Sequence, residues 1–255
     1  DWGIYTATVA TPSGRPADTG VWIDSGVTAR IDGDAGTVGT LHLGGAGSGR
    51  LALAPSGEIA VAGQFMQSSG GELSLVLDSN GGVGQLVVGG NATLAGTLSA
   101  ELAPGVVPAA GDRWDFLQGG SRSGAFASLQ LPELSDDLAW YVDCDSAAVA
   151  LAAVYSADFS LDGAVDDIDL SLWQSGFGKS AAEPGDGDAN RNGLVEGSDL
   201  LHWQRQYGQV ATASLLVEIP EPHAGLLALW SLAMMVSCRF DYAARRRVAE
   251  LSRVW

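Results

Sequence analysis

"GELSLVLDSNGG", residues 71–82, sets Leu73, Leu75 and Leu77 at every second position and then breaks into Asp, Ser, Asn and two glycines. A period of two is that of a strand with one buried face, and the polar, Gly-rich ending marks a turn. The same texture extends outward in both directions. It recurs in "GVWIDSG" (20–26), "GTLHLGG" (39–45), "GRLALAPSGEIAVAG" (49–63), "GQLVVGGNATLAGTLSAEL" (84–102, around Leu94, Thr97, Leu98 and Leu102) and "DRWDFLQGG" (112–120). Strands recur roughly every ten residues, with almost no helical periodicity. Residues 1–153 are therefore expected to be mainly β.

The spacing permits a sandwich, a barrel or a solenoid. Gly pairs at Gly44-Gly45, Gly70-Gly71, Gly81-Gly82 and Gly89-Gly90 suit tight corners with positive φ. Small residues beside the strands suit stacked coils, each of which needs its neighbours to bury its apolar face. A β-solenoid, or β-helix-like stack, is the expectation, with a β-sandwich as the alternative because the repeat is not strict.

The chain has 255 residues and a formal net charge of -17, with only 13 Lys plus Arg. Five of those cations, Arg239, Arg245, Arg246, Arg247 and Arg253, lie near the C-terminus. The remainder is too acidic for a nucleic-acid binder, which needs clustered cations for phosphates. Cys144 and Cys238 are too few and too far apart to imply a disulfide framework or a thiolate metal site. The opening "DWGIYTATVA" has neither an initiator Met nor a secretory signal, and the expectation is a fragment or a processed chain.

Within the β region no motif carries catalysis. "GGAGSGR" (44–50) lacks the Lys-Ser/Thr ending of a phosphate loop, and a turn is expected. His42 is expected on the solvent face of its strand. Asn91-Ala92-Thr93 matches a glycosylation pattern that is common by chance. Asp112, Asp115, Glu133, Asp136 and Asp137 include possible glycosidase pairs, but are expected as surface acids. The stretches "GQLVVGGNATLAGTLSAELAPGVVPAAGDRWDFLQGG", "SGAFASLQLPEL" and "LAWYVDCDSAAVALAAV" resemble the C-terminal ends of autotransporter-like β-helix passenger regions of exported bacterial proteins, over residues 20–153.

From 154 the texture changes. "DFSLDGAVDDIDLSLWQSGFG" (158–178) and "DANRNGLVEGSDLLHWQRQYG" (188–208) align without gaps. Unpaired, the carboxylates of such a stretch repel one another. Calcium takes about six to eight oxygens, and an EF-hand-type loop supplies them from positions 1, 3, 5, 7, 9 and 12. In the first loop these are Asp158, Ser160, Asp162, the carbonyl of Ala164, Asp166 and Asp169. In the second they are Asp188, Asn190, Asn192, the carbonyl of Leu194, Glu196 and Asp199. Gly163 and Gly193 fall at the sharp turn of position 6, and Val165 and Val195 at position 8, where an apolar side chain can pack the loop. Asp169 and Asp199 are expected to open helices, with Leu170, Trp173, Phe177 and Leu200, Trp203, Tyr207 at helical spacing. Gly178 and Gly208 are the expected caps. His202 lies beyond the loop and is expected on the exposed helix surface. The second loop, with Asn190 and Asn192 in place of acids, is expected to bind the weaker of two calcium ions.

This pair resembles a type I dockerin over residues 154–209, an all-α EF-hand-type module. The resemblance implies two calcium ions and a cohesin-like partner. Positions 10 and 11, which help choose the partner, are Asp167-Ile168 and Gly197-Ser198 rather than the Ser-Thr pairs of cellulosomes.

After a linker (210–219), "VEIPEPHAGLLALWSLAMMVSCRFDYAARRR" joins Pro220-Glu221-Pro222 to an apolar run, Ala224 to Cys238, and an arginine cluster. The run is about fifteen residues, short of the roughly twenty that span a bilayer, and the arginines suit the cytoplasmic side. Residues 220–247 resemble a PEP-CTERM sorting signal, with 248–255 as a tail. That resemblance implies recognition of Pro220, Glu221 and Pro222 by an exosortase-like membrane protease, with the apolar helix holding the chain at the inner membrane before release to the cell surface. His223 and the tail depart from the pattern. Together the three segments resemble large exported proteins of planctomycete-like bacteria. The expectation is a non-enzymatic calcium-binding surface or extracellular protein. The alternative is a non-catalytic part of a dockerin–cohesin system for polysaccharide breakdown.

Overall fold

The computed structural model describes residues 6–8, 20–45, 47–144 and 148–211. In chain order its strands are β1 (Thr6–Thr8), β2 (Gly20–Ile23), β3 (Val27–Ile31), β4 (Asp34–Val38), β5 (Thr40–Leu43), β6 (Gly49–Leu53), β7 (Glu58–Val61), β8 (Phe65–Gln67), β9 (Gly71–Leu77), β10 (Gln85–Val88), β11 (Asn91–Leu94), β12 (Thr97–Leu102), β13 (Arg113–Gln118), β14 (Ser121–Gly124), β15 (Ser128–Gln130), β16 (Leu138–Cys144) and β17 (Ala148–Tyr155). Two helices follow, α1 (Asp167–Gly176) and α2 (Gly197–Gln206). The chain is predominantly β.

Each strand from β2 to β12 pairs in parallel with the strand three places later. The chain therefore visits three sheets in turn, ordered β1-β3-β6-β9-β12-β15, β2-β5-β8-β11-β14 and β4-β7-β10-β13-β17-β16. This is a stack of coils rather than a sandwich. Inward side chains line up across coils as Leu51, Leu73 and Leu98, as Leu53 and Leu75, and as Leu41 and Phe65. All seven are buried, each contributing about 1.5–3 kcal/mol through removal of its side chain from water. Partners Leu51, Leu73, Leu98 and Leu129 lie progressively further apart in the chain. The coils lengthen, which is why the sequence repeat is not strict.

The glycine pairs serve the expected purpose only in part. Of the eight, only Gly44 and Gly81 have positive φ. At Gly90 an added Cβ would stand 2.5 Å from the Gly63 carbonyl oxygen of the preceding coil. Close backbone approach between coils, more than corner geometry, requires glycine there. Of "GGAGSGR", Gly44, Gly45, Gly47 and Ser48 lie between β5 and β6, and Gly49 and Arg50 open strand β6.

At its C-terminal end the third sheet turns antiparallel. β17 pairs with β13, with an irregularity between Asp115 and Leu117, and β16 pairs with β17. Trp114 is buried beneath this end and its Nε1 donates to the Asp78 carbonyl at 2.8 Å. β17 runs to Tyr155, so the change of sequence texture at 154 falls inside a strand. A second, smaller core of Ala157, Phe159, Val165 and Ala189 begins two residues later, with Leu172, Trp173 and Trp203 against it. Among the described residues no helix is long and apolar enough to cross a membrane. The Pro220-Glu221-Pro222 motif, the expected C-terminal helix and the arginine cluster lie outside the described residues.

Candidate functional site

The duplicated loops fold alike. In each, the residue at position 4 adopts left-handed backbone, Leu161 at φ 59 and Arg191 at φ 57, followed by left-handed Gly163 at φ 88 and Gly193 at φ 82. The first carboxylate then gathers the turn. Asp158 Oδ1 accepts from Asp162 N at 3.2 Å and Oδ2 from Gly163 N at 3.0 Å. Asp188 accepts from Asn192 N and Gly193 N at 3.2 and 2.8 Å.

The twelfth carboxylate closes the loop from the other side. Asp169 Oδ1 accepts from Ser160 N at 2.9 Å and Oδ2 from Asp166 N at 2.8 Å. Asp199 repeats this with Asn190 N at 3.3 Å and Glu196 N at 2.8 Å. Asp169 and Asp199 do not open the helices, as the apolar pattern suggested. The helices start two residues earlier, at Asp167 and Gly197, so both aspartates sit in the first turn. There they satisfy an amide that has no helical partner and meet the positive end of the helix dipole. Asp166 caps α1 itself, its Oδ1 accepting from Ile168 N at 2.7 Å.

Positions 7 and 8 are held by crossed pairing between the two halves. Val165 N donates to the Gln209 carbonyl and Gly208 N to the Val165 carbonyl, beyond α2. Val195 N donates to the Lys179 carbonyl and Gly178 N to the Val195 carbonyl, beyond α1. Isolated bridges join Ala164 to Val210 and Ser180 to Leu194. Ala211 N also bonds the Gly163 carbonyl at 2.7 Å, so paired backbone continues two residues past 209. The carbonyls of 163 and 165 point into this pairing. Successive carbonyls of an extended segment alternate, so that of Ala164 points away from it, and Leu194 repeats the pattern.

The tryptophans cross in the same sense. Trp173 Nε1 on α1 donates to the Glu196 carbonyl in the second loop at 3.0 Å, and Trp203 Nε1 on α2 to the Asp166 carbonyl in the first at 2.8 Å. Phe177 and Tyr207 end the helical stripes exposed, packed on Trp173 and Trp203 with ring centroids 5.1 and 4.9 Å apart. Gly178 and Gly208, both at φ +83, stand one residue past the C-caps Phe177 and Tyr207. Val165 and Val195 are buried. His202 is half-buried on α2, 3.1 Å from an Arg205 nitrogen.

The electrostatics are unusual for a surface loop. Asp158, Asp169, Asp188 and Asp199 are 4%, 0%, 2% and 0% exposed. Burial pushes the Asp158 carboxyl up to about 6, against the hydrogen bond from Gly163 N, and the charges of Asp169 and Asp162 add to the rise. In the second loop Arg191 places a positive charge beside Asp188. As they stand, no three His, Cys, Asp or Glu side chains among the described residues are grouped as a metal would need. The donor set still suits a hard cation. A carboxylate has about four lone-pair sites, so one amide bond to each oxygen leaves further acceptor capacity on both.

Other candidate residues have structural partners. His42 stacks on Trp22 with centroids 4.8 Å apart. Asn91 Nδ2 donates to Thr93 Oγ1 at 3.1 Å, and its Oδ1 accepts from Ser121 Oγ at 3.1 Å. Asp112 accepts from Ala109 N at 2.8 Å, and Asp115 pairs with Arg113 at 2.9 Å. Comparison with family models, with curated proteins and with solved structures gave no match.

Proposed function

We propose that the duplicated loops bind two calcium ions and that the chain is a calcium-dependent binding or structural protein of the cell exterior, not a catalyst. The observation that carries this is the burial of Asp158 and Asp169 in one small loop, both almost fully out of water. Among the described residues no Lys or Arg forms an ion pair with either. Buried charges are paired or coordinate metals. In this reading Asp158, Ser160, Asp162, the Ala164 carbonyl, Asp166 and Asp169 hold one ion. Asp188, Asn190, Asn192, the Leu194 carbonyl, Glu196 and Asp199 hold the other. An ion brings neutralising charge to each loop and draws α1 and α2 onto a common framework. That framework presents exposed Ile168, Leu201, Phe177 and Tyr207 for docking a cohesin-like partner.

Sequence features support the exterior placement. Pro220-Glu221-Pro222, the apolar run and the arginines resemble a sorting tail of the kind processed at the inner membrane by an exosortase-like protease. The test is calorimetric titration of the full chain with calcium, alongside circular dichroism in chelator and in calcium. Two binding events are expected, with a helix signal that persists to higher temperature in calcium than in chelator. No heat and no such thermal shift at millimolar calcium would sink the proposal.

A further inference from the structure

Gln206, the last residue of α2, is 2% exposed. A buried side-chain amide must find partners, and this one finds them on the β stack. Its Oε1 accepts from Ala157 N at 3.1 Å, and its Nε2 donates to Ser156 Oγ at 2.8 Å and reaches Asp137 Oδ1 at 3.4 Å. Ser156 and Ala157 directly follow β17, and Asp137 directly precedes β16. The Asp137 carbonyl in turn accepts from Ser156 N at 2.9 Å. One amide thus ties the end of α2 to both strands of the antiparallel pair that closes the stack, at the end where Leu138 pairs with Tyr155. Tyr155 Oη, on β17, adds a weaker contact to Gln209 Oε1 at 3.4 Å.

The aligned residue of the first repeat is Gly176, also buried. An added Cβ there would stand 1.9 Å from the Asp186 carbonyl oxygen, so no side chain fits. The two repeats match in their loop geometry, their tryptophans and their left-handed C-terminal glycines, and differ here. One half takes a glycine packed on the turn between the repeats. The other takes a glutamine aimed out of the module.

We propose that Gln206 is a latch, and that the two-loop module is a fixed cap on the end of the β stack instead of a domain swinging on a tether. The latch itself is independent of calcium. A second consequence rests on the calcium reading. Asp199, in the first turn of α2, belongs to the second loop, and Gln206 ends the same helix. An ion that fixes the start of α2 would therefore also steady β16 and β17 through the latch.

Hydrogen exchange on the full chain, wild type and Gln206→Ala, tests both parts. In chelator, the Ala157 amide is expected to exchange about tenfold faster in the variant, since its acceptor is gone. Equal exchange would overturn the latch. Should Gln206→Ala lose the fold of the module, Ser156→Ala removes one partner only. It is expected to give a smaller loosening at Ala157, and none would equally overturn the proposal. With calcium added, both proteins are expected to gain protection at 158–169 and 188–199, but only wild type at β16 and β17. Protection of the loops alone in wild type would overturn the coupling. No protection anywhere on adding calcium would remove the calcium reading, while the chelator result still judges the latch.

Discussion

The two halves of the duplicated module share one backbone and differ in charge. Both place left-handed residues at positions 4 and 6, both gather amides on a buried first and twelfth carboxylate, and both donate an indole to the other half. Yet the first loop carries acids at positions 1, 5, 9 and 12. The second has Asn192 at position 5 and Arg191 beside Asp188. Geometry and charge are thus separable here. Shared hydrogen bonds set the shape, since Asp and Asn both offer a side-chain oxygen to an amide. Asn192 Oδ1 accepts from Leu194 N at 2.8 Å as Asp162 Oδ1 accepts from Ala164 N at 2.9 Å. What differs is the charge each loop carries.

The strongest way to break the comparison is to remove position 12 from each half. Loss of residues that only support a ligand costs about 10–100-fold in metal affinity, so loss of a ligand should cost at least ~100-fold. Asp169→Ala is expected to leave one calcium-binding event of two in a calorimetric titration, Asp199→Ala likewise, and the double variant none. Two events surviving in either single variant would show that position 12 is a helix-cap residue only.

The next effect is electrostatic. A unit charge about 4 Å from a divalent ion is worth ~2 kcal/mol even in water, or about thirtyfold in affinity. Asn190→Asp and Asn192→Asp are each expected to tighten the weaker site by about that factor, bringing the two sites together. If they leave it unchanged, the difference between the loops does not arise from charge.

Crossed effects should follow from the tryptophans. One hydrogen bond is worth about 1 kcal/mol net. Trp203→Phe is expected to weaken calcium binding in the first loop by about fivefold, and Trp173→Phe in the second. If each variant weakened the loop of its own half, the indole bonds would not carry the coupling.

Much of this was legible in residues that repeat. Leu73, Leu75 and Leu77 announce a strand because period two is a local property. The paired loops declare themselves because Asp, Gly and Val recur at the same positions twice. What stayed hidden depends on partners far away in sequence. Parallel pairing of Leu51, Leu73 and Leu98, against the sandwich alternative, is set by which strand lies alongside, and coils of unequal length blur the period. The glycines were legible as necessary but for an incomplete reason, since the carbonyl of Gly63 facing Gly90 is a neighbour only after the coils stack. Trp173, Trp203 and Gln206 were visible as helix positions, not as donors to the opposite loop or to the β stack. The helix starts at Asp167 and Gly197 were missed because polar residues in the first turn carry no apolar period. Their signal was the acid three residues beyond Asp166 and Glu196, the spacing of a reciprocal cap.

The smallest expected effect probes the shared backbone itself. Leu161 adopts φ 59 and is 42% exposed, so it bears the left-handed crowding of its Cβ with incomplete compensation from packing. Relief of that crowding by Asn, which tolerates this region, is expected to stabilise the chelated protein by ~0.5–1 kcal/mol in denaturant unfolding. Arg191→Asn should give a similar gain, because the backbone is the same. Its second consequence has no counterpart in the first half. Removing the positive charge beside Asp188 should also tighten the second calcium site, whereas Leu161→Asn should leave the first site unchanged. Equal stabilities with unequal affinities would separate what the two halves share from what distinguishes them. A gain in affinity from both variants would mean that position 4 acts through loop shape, and the charge difference would lose its place as the cause.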